Sequence, residues 1–327
     1  MEQNKQSAER QEETSPDSLK KASAKGENMK ARTITAVGYV AVILGLVALK
    51  WAFPVFGSIG FDVLFWAISV IGAYEFMRAV GGISKAQWWT VIITCVLLIP
   101  AFVIVKMVVG SVTGNGGKAS EAALVSLMAV ASVGAMVTAS MLVFDFNKSS
   151  LHSTAYSLFC IIYCGVLGCV GSNVNHMATN SLPAVFMLFA ITAGVDTFAL
   201  LIGMALGKVF PLKLAPRTSP NKTVIGAVGG LIGGVFAALV VYFMCEYVPG
   251  FGLDYSGDAP KWLLLILISL PTSIFAQLGD LFESAIKRGC GVKDMGKLLP
   301  GHGGMLDRFD SMLFAAVSLV VCFIAVR

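Results

Sequence analysis

From residue 33 onward the chain is built of long apolar runs separated by short polar breaks. Nine runs are long enough to cross a bilayer: roughly 33–53, 59–80, 88–109, 121–146, 151–172, 182–207, 224–248, 261–286 and 309–326. A helix rising about 1.5 Å per residue needs about 20 apolar residues to span a hydrocarbon core about 30 Å thick. The pattern therefore predicts an all-α, polytopic integral membrane protein with about nine transmembrane helices. Residues 1–32 break the pattern, being polar, rich in Lys, Glu and Ser, and without periodicity. They lack the apolar core of a signal peptide, so they are expected to form a disordered cytoplasmic tail that stays on the protein, followed by one membrane-embedded domain over 33–327.

Composition agrees with this reading. Of 327 residues, 56% are hydrophobic and 13% charged, about half the charged fraction of a soluble domain. Assigning Lys and Arg to the two sides of the predicted spans gives 19 on the side of the N-terminus and 5 on the other. The positive-inside rule then puts the N-terminus and the two basic loops, 208–222 and 287–308, in the cytoplasm. The seven cysteines include no CxxC pair, and six lie in or beside apolar runs, where a thiol behaves as a small hydrophobe.

Several polar features need no chemistry to explain them. In "GAVGGLIGGV" (226–235) Gly226/Gly230, Gly229/Gly233 and Gly230/Gly234 repeat at GxxxG spacing, which lets a neighbouring helix approach closely. Such faces suit either a homodimer contact or one within the chain. "GNGGKAS" (114–120) lacks the phosphate-loop pattern and has no strand before it. Asp62, Glu75 and Asp145 lie near the ends of runs, where headgroup water satisfies a carboxylate cheaply, and His152 and His176 have no ligand partner nearby in sequence. Asp196 is different: it lies too deep in its run to reach water easily, so it is a functional candidate.

The remaining polar residues gather at one place. "GDLFESAIKR" (279–288) puts Asp280, Ser284 and Lys287 at i, i+4 and i+7 on one helical face, followed by Arg288. "GHGGMLDRFD" (301–310) puts Asp307 and Asp310 at i and i+3 where the last run begins. Acid at one end and cations at the other suit a metal-bridged polyphosphate, and hard oxygen ligands of this kind select Mg²⁺ or a similar ion. Asp280, Asp307 and Asp310 are the expected metal ligands, and the glycines Gly303 and Gly304 free backbone amides to point at an anion.

The same residues carry a family resemblance. "SAIKRGCGVKDMGKLLPGHGGMLDRFD" (284–310) resembles the signature of the phosphatidate cytidylyltransferases, the CDP-diacylglycerol synthases, with Ser284, Lys287, Arg288, Lys293, Asp294, Pro300, His302, Gly303, Gly304, Asp307, Arg308 and Asp310 at its fixed positions. "SPNKT" (219–223), "DTFALLIGMALGK" (196–208), "YEFMR" (74–78) and "KARTITAVGYV" (30–40) are similar to other segments of that family. The resemblance implies transfer of CMP from CTP to phosphatidic acid at the cytoplasmic face of the cell membrane, with Mg²⁺ as cofactor. It implies catalytic roles for Asp280, Lys287, Asp307 and Asp310, and substrate binding by Asp196, Ser219, Lys222, Ser284, Arg288, Lys293, His302, Gly303, Gly304 and Arg308. The expected partners are CTP, phosphatidic acid and the bilayer, with no nucleic acid. The rival readings are another CTP-using lipid enzyme, such as a polyprenol or phytol kinase or a CDP-archaeol synthase, and a transporter. A transporter would spread its acids along a crossing path instead of collecting them on one side.

Overall fold

The computed structural model describes residues 16–145, 147–177, 179–299 and 303–326, with side chains from Ile34 onward. Among these residues, nine helices are long and apolar enough to cross a membrane, one for each run predicted from sequence. In chain order they are α1 (Pro16–Ala52), α2 (Pro54–Val80), α3 (Lys85–Thr113), α4 (Gly116–Phe144), a fifth span in pieces, α7 (Ser181–Leu206), α8 (Val224–Tyr247), α9 (Lys261–Gly289) and α10 (Leu306–Ala325). The fifth span consists of α5 (Leu151–Cys160), a π-helical turn (Ile161–Val166) and α6 (Leu167–Asn175).

Two features depart from the sequence expectation. The first helix already begins at Pro16, inside the stretch expected as a disordered tail. Its sequence there, "PDSLKKASAKGENMKAR", holds four Lys and three Ala, which favour helix even where no hydrophobic face requires it. The basic loop after α7 folds into a small antiparallel hairpin, β1 (Lys213–Ala215) and β2 (Ser219–Thr223), paired Lys213 to Thr223 and Ala215 to Ser219. Thr223 then caps α8, its Oγ1 accepting from the Gly226 amide at 3.1 Å, so the hairpin is anchored directly to a span.

Packing explains the glycine pattern. A Cβ on Gly233 would lie 2.2 Å from the carbonyl oxygen of Gly194 in α7, and one on Gly234 would meet the Ser273 hydroxyl of α9. The glycine face of α8 therefore serves contacts within the chain, bringing α7, α8 and α9 together. Pro100 and Pro271 sit inside α3 and α9, where neighbouring helices can satisfy the freed backbone groups.

A buried polar cluster joins α1, α2 and α6 at the end of the bundle away from α7's C-terminus. The Lys50 ammonium, 3% exposed, donates to Ser58 Oγ at 3.1 Å, to the Asn175 carbonyl at 2.8 Å and to Asn175 Oδ1. Asp62 accepts from Ser172 at 2.6 Å and from Asn175 Nδ2 at 2.9 Å, and His176 Nε2 lies 2.7 Å from its other oxygen. Sequence reading gave Asp62 to headgroup water and His176 to nothing; in the fold they form a pair, and every polar atom of the cluster named here has a protein partner.

Candidate active site

The C-terminal ends of α7 and α9, the hairpin and the N-termini of α8 and α10 meet around a cavity of about 580 Å³. Asp196 of α7, Lys222 of β2, Asp280 and Lys287 of α9, and Asp307, Arg308 and Asp310 of α10 all line it. Helix spacing is responsible: Asp280 and Lys287 are two turns apart on one face of α9, and Asp307 and Asp310 share the first turns of α10. Leu200, Met204 and Leu214 form an apolar stretch of the same wall, and each faces outward from the bundle as well. One cavity thus has a charged floor and a greasy side.

The charges are organised in two groups. Lys222 and Asp280 form an ion pair between hairpin and α9. Burial pushes the Lys222 ammonium below the ordinary lysine value, against the opposing pull of Asp310 and Asp196. Deeper in, Lys287 bridges Asp307, at 2.9 Å, and Glu283, which is fully buried. That bridge makes Glu283 part of the site, a residue of the run "GDLFESAIKR" with no role assigned from sequence. Glu283 Oε2 lies next to the Lys287 ammonium, and neither Glu283 oxygen has a well-directed hydrogen bond, so the contact is one of charge proximity.

Asp307 is engaged by the protein itself. Its Oδ2 accepts from the Gly304 amide at 2.7 Å and the Met295 amide at 3.0 Å, while Oδ1 takes Lys287. The carboxylate is therefore spent on the loop that precedes α10. Among the described residues no three Asp, Glu, His or Cys side chains are grouped so as to hold a metal ion, and the expected trio Asp280, Asp307 and Asp310 is not assembled as one. Mg²⁺ is commonly held by only one or two carboxylates, with waters and substrate phosphates completing the octahedron. Asp280 has one oxygen paired to Lys222, and Asp310 Oδ1 accepts from the Ser311 amide at 2.6 Å and hydroxyl at 3.2 Å. Both line the cavity and each keeps a second oxygen that suits such an ion, whereas both Asp307 oxygens are taken.

The other expected residues divide. Gly304 directs its amide at Asp307, so the anion it serves is one of the protein's own carboxylates. Gly303 sits at φ +89, and a Cβ there would approach Asp307 Oδ2 to 2.8 Å; both facts require glycine. Arg288 reaches the hairpin, donating to the Thr218 carbonyl at 3.3 Å. Ser219 is a strand residue paired with Ala215, and Ser284 is half-buried outside the cavity lining. Lys293 belongs to a neighbouring cavity of about 660 Å³, with Arg78 and Lys297. His302 and Pro300 lie outside the described residues.

A bundle of apolar helices with a charged cavity of about 580 Å³ at one end, open on a hydrophobic flank, defines a membrane enzyme acting on phosphorylated substrates. The family profile described as cytidylyltransferase family matches residues 30–326, and the chain belongs to that family. Among its relatives is a phosphatidate cytidylyltransferase of Staphylococcus haemolyticus (strain JCSC1435), 32% identical over 300 residues that cover 90% of this chain and 99% of the relative. A Bacillus subtilis (strain 168) protein of the same name is 30% identical over 88% of this chain and 94% of its own length. One from Staphylococcus aureus (strain COL) is 38% identical over 54% of this chain and 62% of its own length. The family read from the run 284–310 is thus met along almost the whole chain.

Proposed function

We propose that this protein is a CTP:phosphatidate cytidylyltransferase, making CDP-diacylglycerol and pyrophosphate for phospholipid synthesis. The observation that carries the proposal is the cavity itself: Lys222, Lys287 and Arg308 beside Asp196, Asp280 and Asp310, with Leu200, Met204 and Leu214 along its flank. A polyanionic nucleotide and a two-chain lipid need such a meeting point, where water reaches one side and acyl chains the other.

In the proposed reaction a phosphate oxygen of phosphatidate attacks the α-phosphorus of CTP. The new P–O bond forms as the bond from that phosphorus to the bridging oxygen breaks, and pyrophosphate leaves with the electron pair. Phosphatidate is already an anionic nucleophile, so the protein need not supply a base. Its task is alignment and charge stabilisation. Lys222 and Arg308 hold the nucleotide phosphates, and Lys287, itself fixed by Asp307 and Glu283, faces the charge that builds on the leaving pyrophosphate. Mg²⁺ held by Asp280 and Asp310 would supply further neutralisation of the triphosphate. The excess of Lys and Arg on the side of the basic loops, 19 to 5, supports a cytoplasmic site in the cell membrane.

The test uses purified protein in detergent with phosphatidic acid, Mg²⁺ and CTP labelled separately at the α and γ positions. Label from the α position should enter the chloroform-soluble product while γ label leaves as pyrophosphate. Lipid carrying γ label would make the protein a kinase and refute the proposal.

A further inference from the structure

Glu75 lies near the C-terminal end of α2 and is 4% exposed. Its two oxygens each accept from a backbone amide at the start of α10, Oε1 from Met305 and Oε2 from Leu306, both at 3.0 Å. These amides belong to the set that a helix N-terminus leaves without intrahelical partners. Helix α10 has no side-chain cap of its own. It takes one from a residue 230 positions earlier in the chain, and the carboxylate also suits the positive end of the helix dipole.

The loop before α10 wraps this carboxylate closely. A Cβ on Gly296 would lie 2.1 Å from Glu75 Oε1, and one on Gly304 would lie 2.4 Å from Oε2. The next amides along, those of Met295 and Gly304, go to Asp307. Two carboxylates therefore hold the amides of Met295, Gly304, Met305 and Leu306; Asp307 lines the 580 Å³ cavity, while Glu75 lines the neighbouring 660 Å³ cavity with Lys293.

We infer that Glu75 is a positioning residue: with both oxygens taken by the Met305 and Leu306 amides, it clamps the first turn of α10 and sets where Asp307, Arg308 and Asp310 stand in the 580 Å³ cavity, which it does not itself line. The inference rests on the cytidylyl-transfer reading for its effect on rate, and on geometry alone for its effect on the loop. Lys222 and Asp280 come from other elements, so nucleotide binding should survive loss of the clamp better than turnover does.

The experiment uses the full chain in detergent. Glu75→Gln preserves size but presents an N–H to an amide that needs an acceptor. The expected result is a kcat lower by about 10- to 100-fold with a CTP KM changed by no more than about threefold, as for losing one buried charge-assisted hydrogen bond. Glu75→Asp, which keeps the charge at the helix end, should recover part of the loss. Gly296→Ala disturbs the same clamp from the loop side, so its effect should not multiply with that of Glu75→Gln. Hydrogen exchange over the peptide 291–306 should be faster in Glu75→Gln, while the rest of the chain exchanges as in the wild type. Unchanged exchange in that peptide overturns the inference whatever the activity. So does wild-type kcat in Glu75→Gln, multiplying losses in the double variant, or a general rise in exchange in both Gln and Asp variants, which would mean a fold defect. A wild-type protein that moves no α label into lipid overturns the transfer reading instead and leaves the exchange result to decide on Glu75.

Discussion

Replacing Asp307 by Asn and Asp280 by Asn should give two different phenotypes, although sequence places both residues in one metal-binding set. Asp307 accepts from Lys287 at 2.9 Å, Gly304 N at 2.7 Å and Met295 N at 3.0 Å, and its side chain is 2% exposed. In Asp307→Asn one oxygen becomes an N–H donor facing donors, so about two charge-assisted bonds are lost. At roughly 1.5–3 kcal/mol each, the clamp weakens by about 3–6 kcal/mol. At about 1.4 kcal/mol per factor of ten, turnover falls by up to roughly 10²- to 10⁴-fold, an upper bound reached only if the loop opens fully. The assay is α-label transfer against Mg²⁺ concentration. In Asp307→Asn the plateau should drop while the Mg²⁺ midpoint stays in place, because the carboxylate serves the loop. In Asp280→Asn the midpoint should move to higher Mg²⁺, and excess metal should recover part of the activity. A midpoint shifted by Asp307→Asn as far as by Asp280→Asn would refute the division of labour and restore Asp307 to the metal.

Two further outcomes follow from other contacts. Burial lowers the Lys222 proton affinity in the folded state relative to the ordinary value of 10.5. Below the lowered value the ammonium is charged in both states and its desolvation cost is present in full; between the two values the unfolded chain binds more protons, so this group's contribution to stability rises with pH. Binding runs the other way: the CTP KM should climb on the alkaline side as the charge is lost, and Lys222→Arg, which stays protonated, should remove that climb. Gly233→Ala puts a methyl 2.2 Å from the Gly194 carbonyl oxygen; forcing α7 and α8 apart should cost about 1–3 kcal/mol, read as a lower unfolding midpoint in detergent.

The spans were legible because lipid enforces long unbroken apolar runs, and each expected run has its helix. The signature residues were legible as a group, since charges crowded at the end of a lipid-facing helix are too costly to persist there without a function. Their individual roles were not. Asp307 looks like any cavity carboxylate until the Gly304 and Met295 amides are seen to point at it. Glu75 reads as a residue snorkelling near a helix end, because its partners, Met305 and Leu306, lie 230 positions away or more and are backbone groups with no identity in the sequence. Lys293 shares the signature with Lys287, but a loop turns it into the neighbouring cavity. The π-helical turn at Ile161–Val166 changes no residue type and leaves no mark in the hydrophobic pattern.

The buried Lys50 imposes an order of events on the growing chain. Its main partner, Asn175, is made 125 residues later. Until then the ammonium has only the Ser58 hydroxyl, eight residues on, among its protein acceptors and needs water at the membrane surface for the rest. At about 5–20 residues per second of synthesis, the corner between α1 and α2 waits roughly 6–25 s before it can close. The first helical pair to leave the ribosome is therefore completed only when the fifth span arrives.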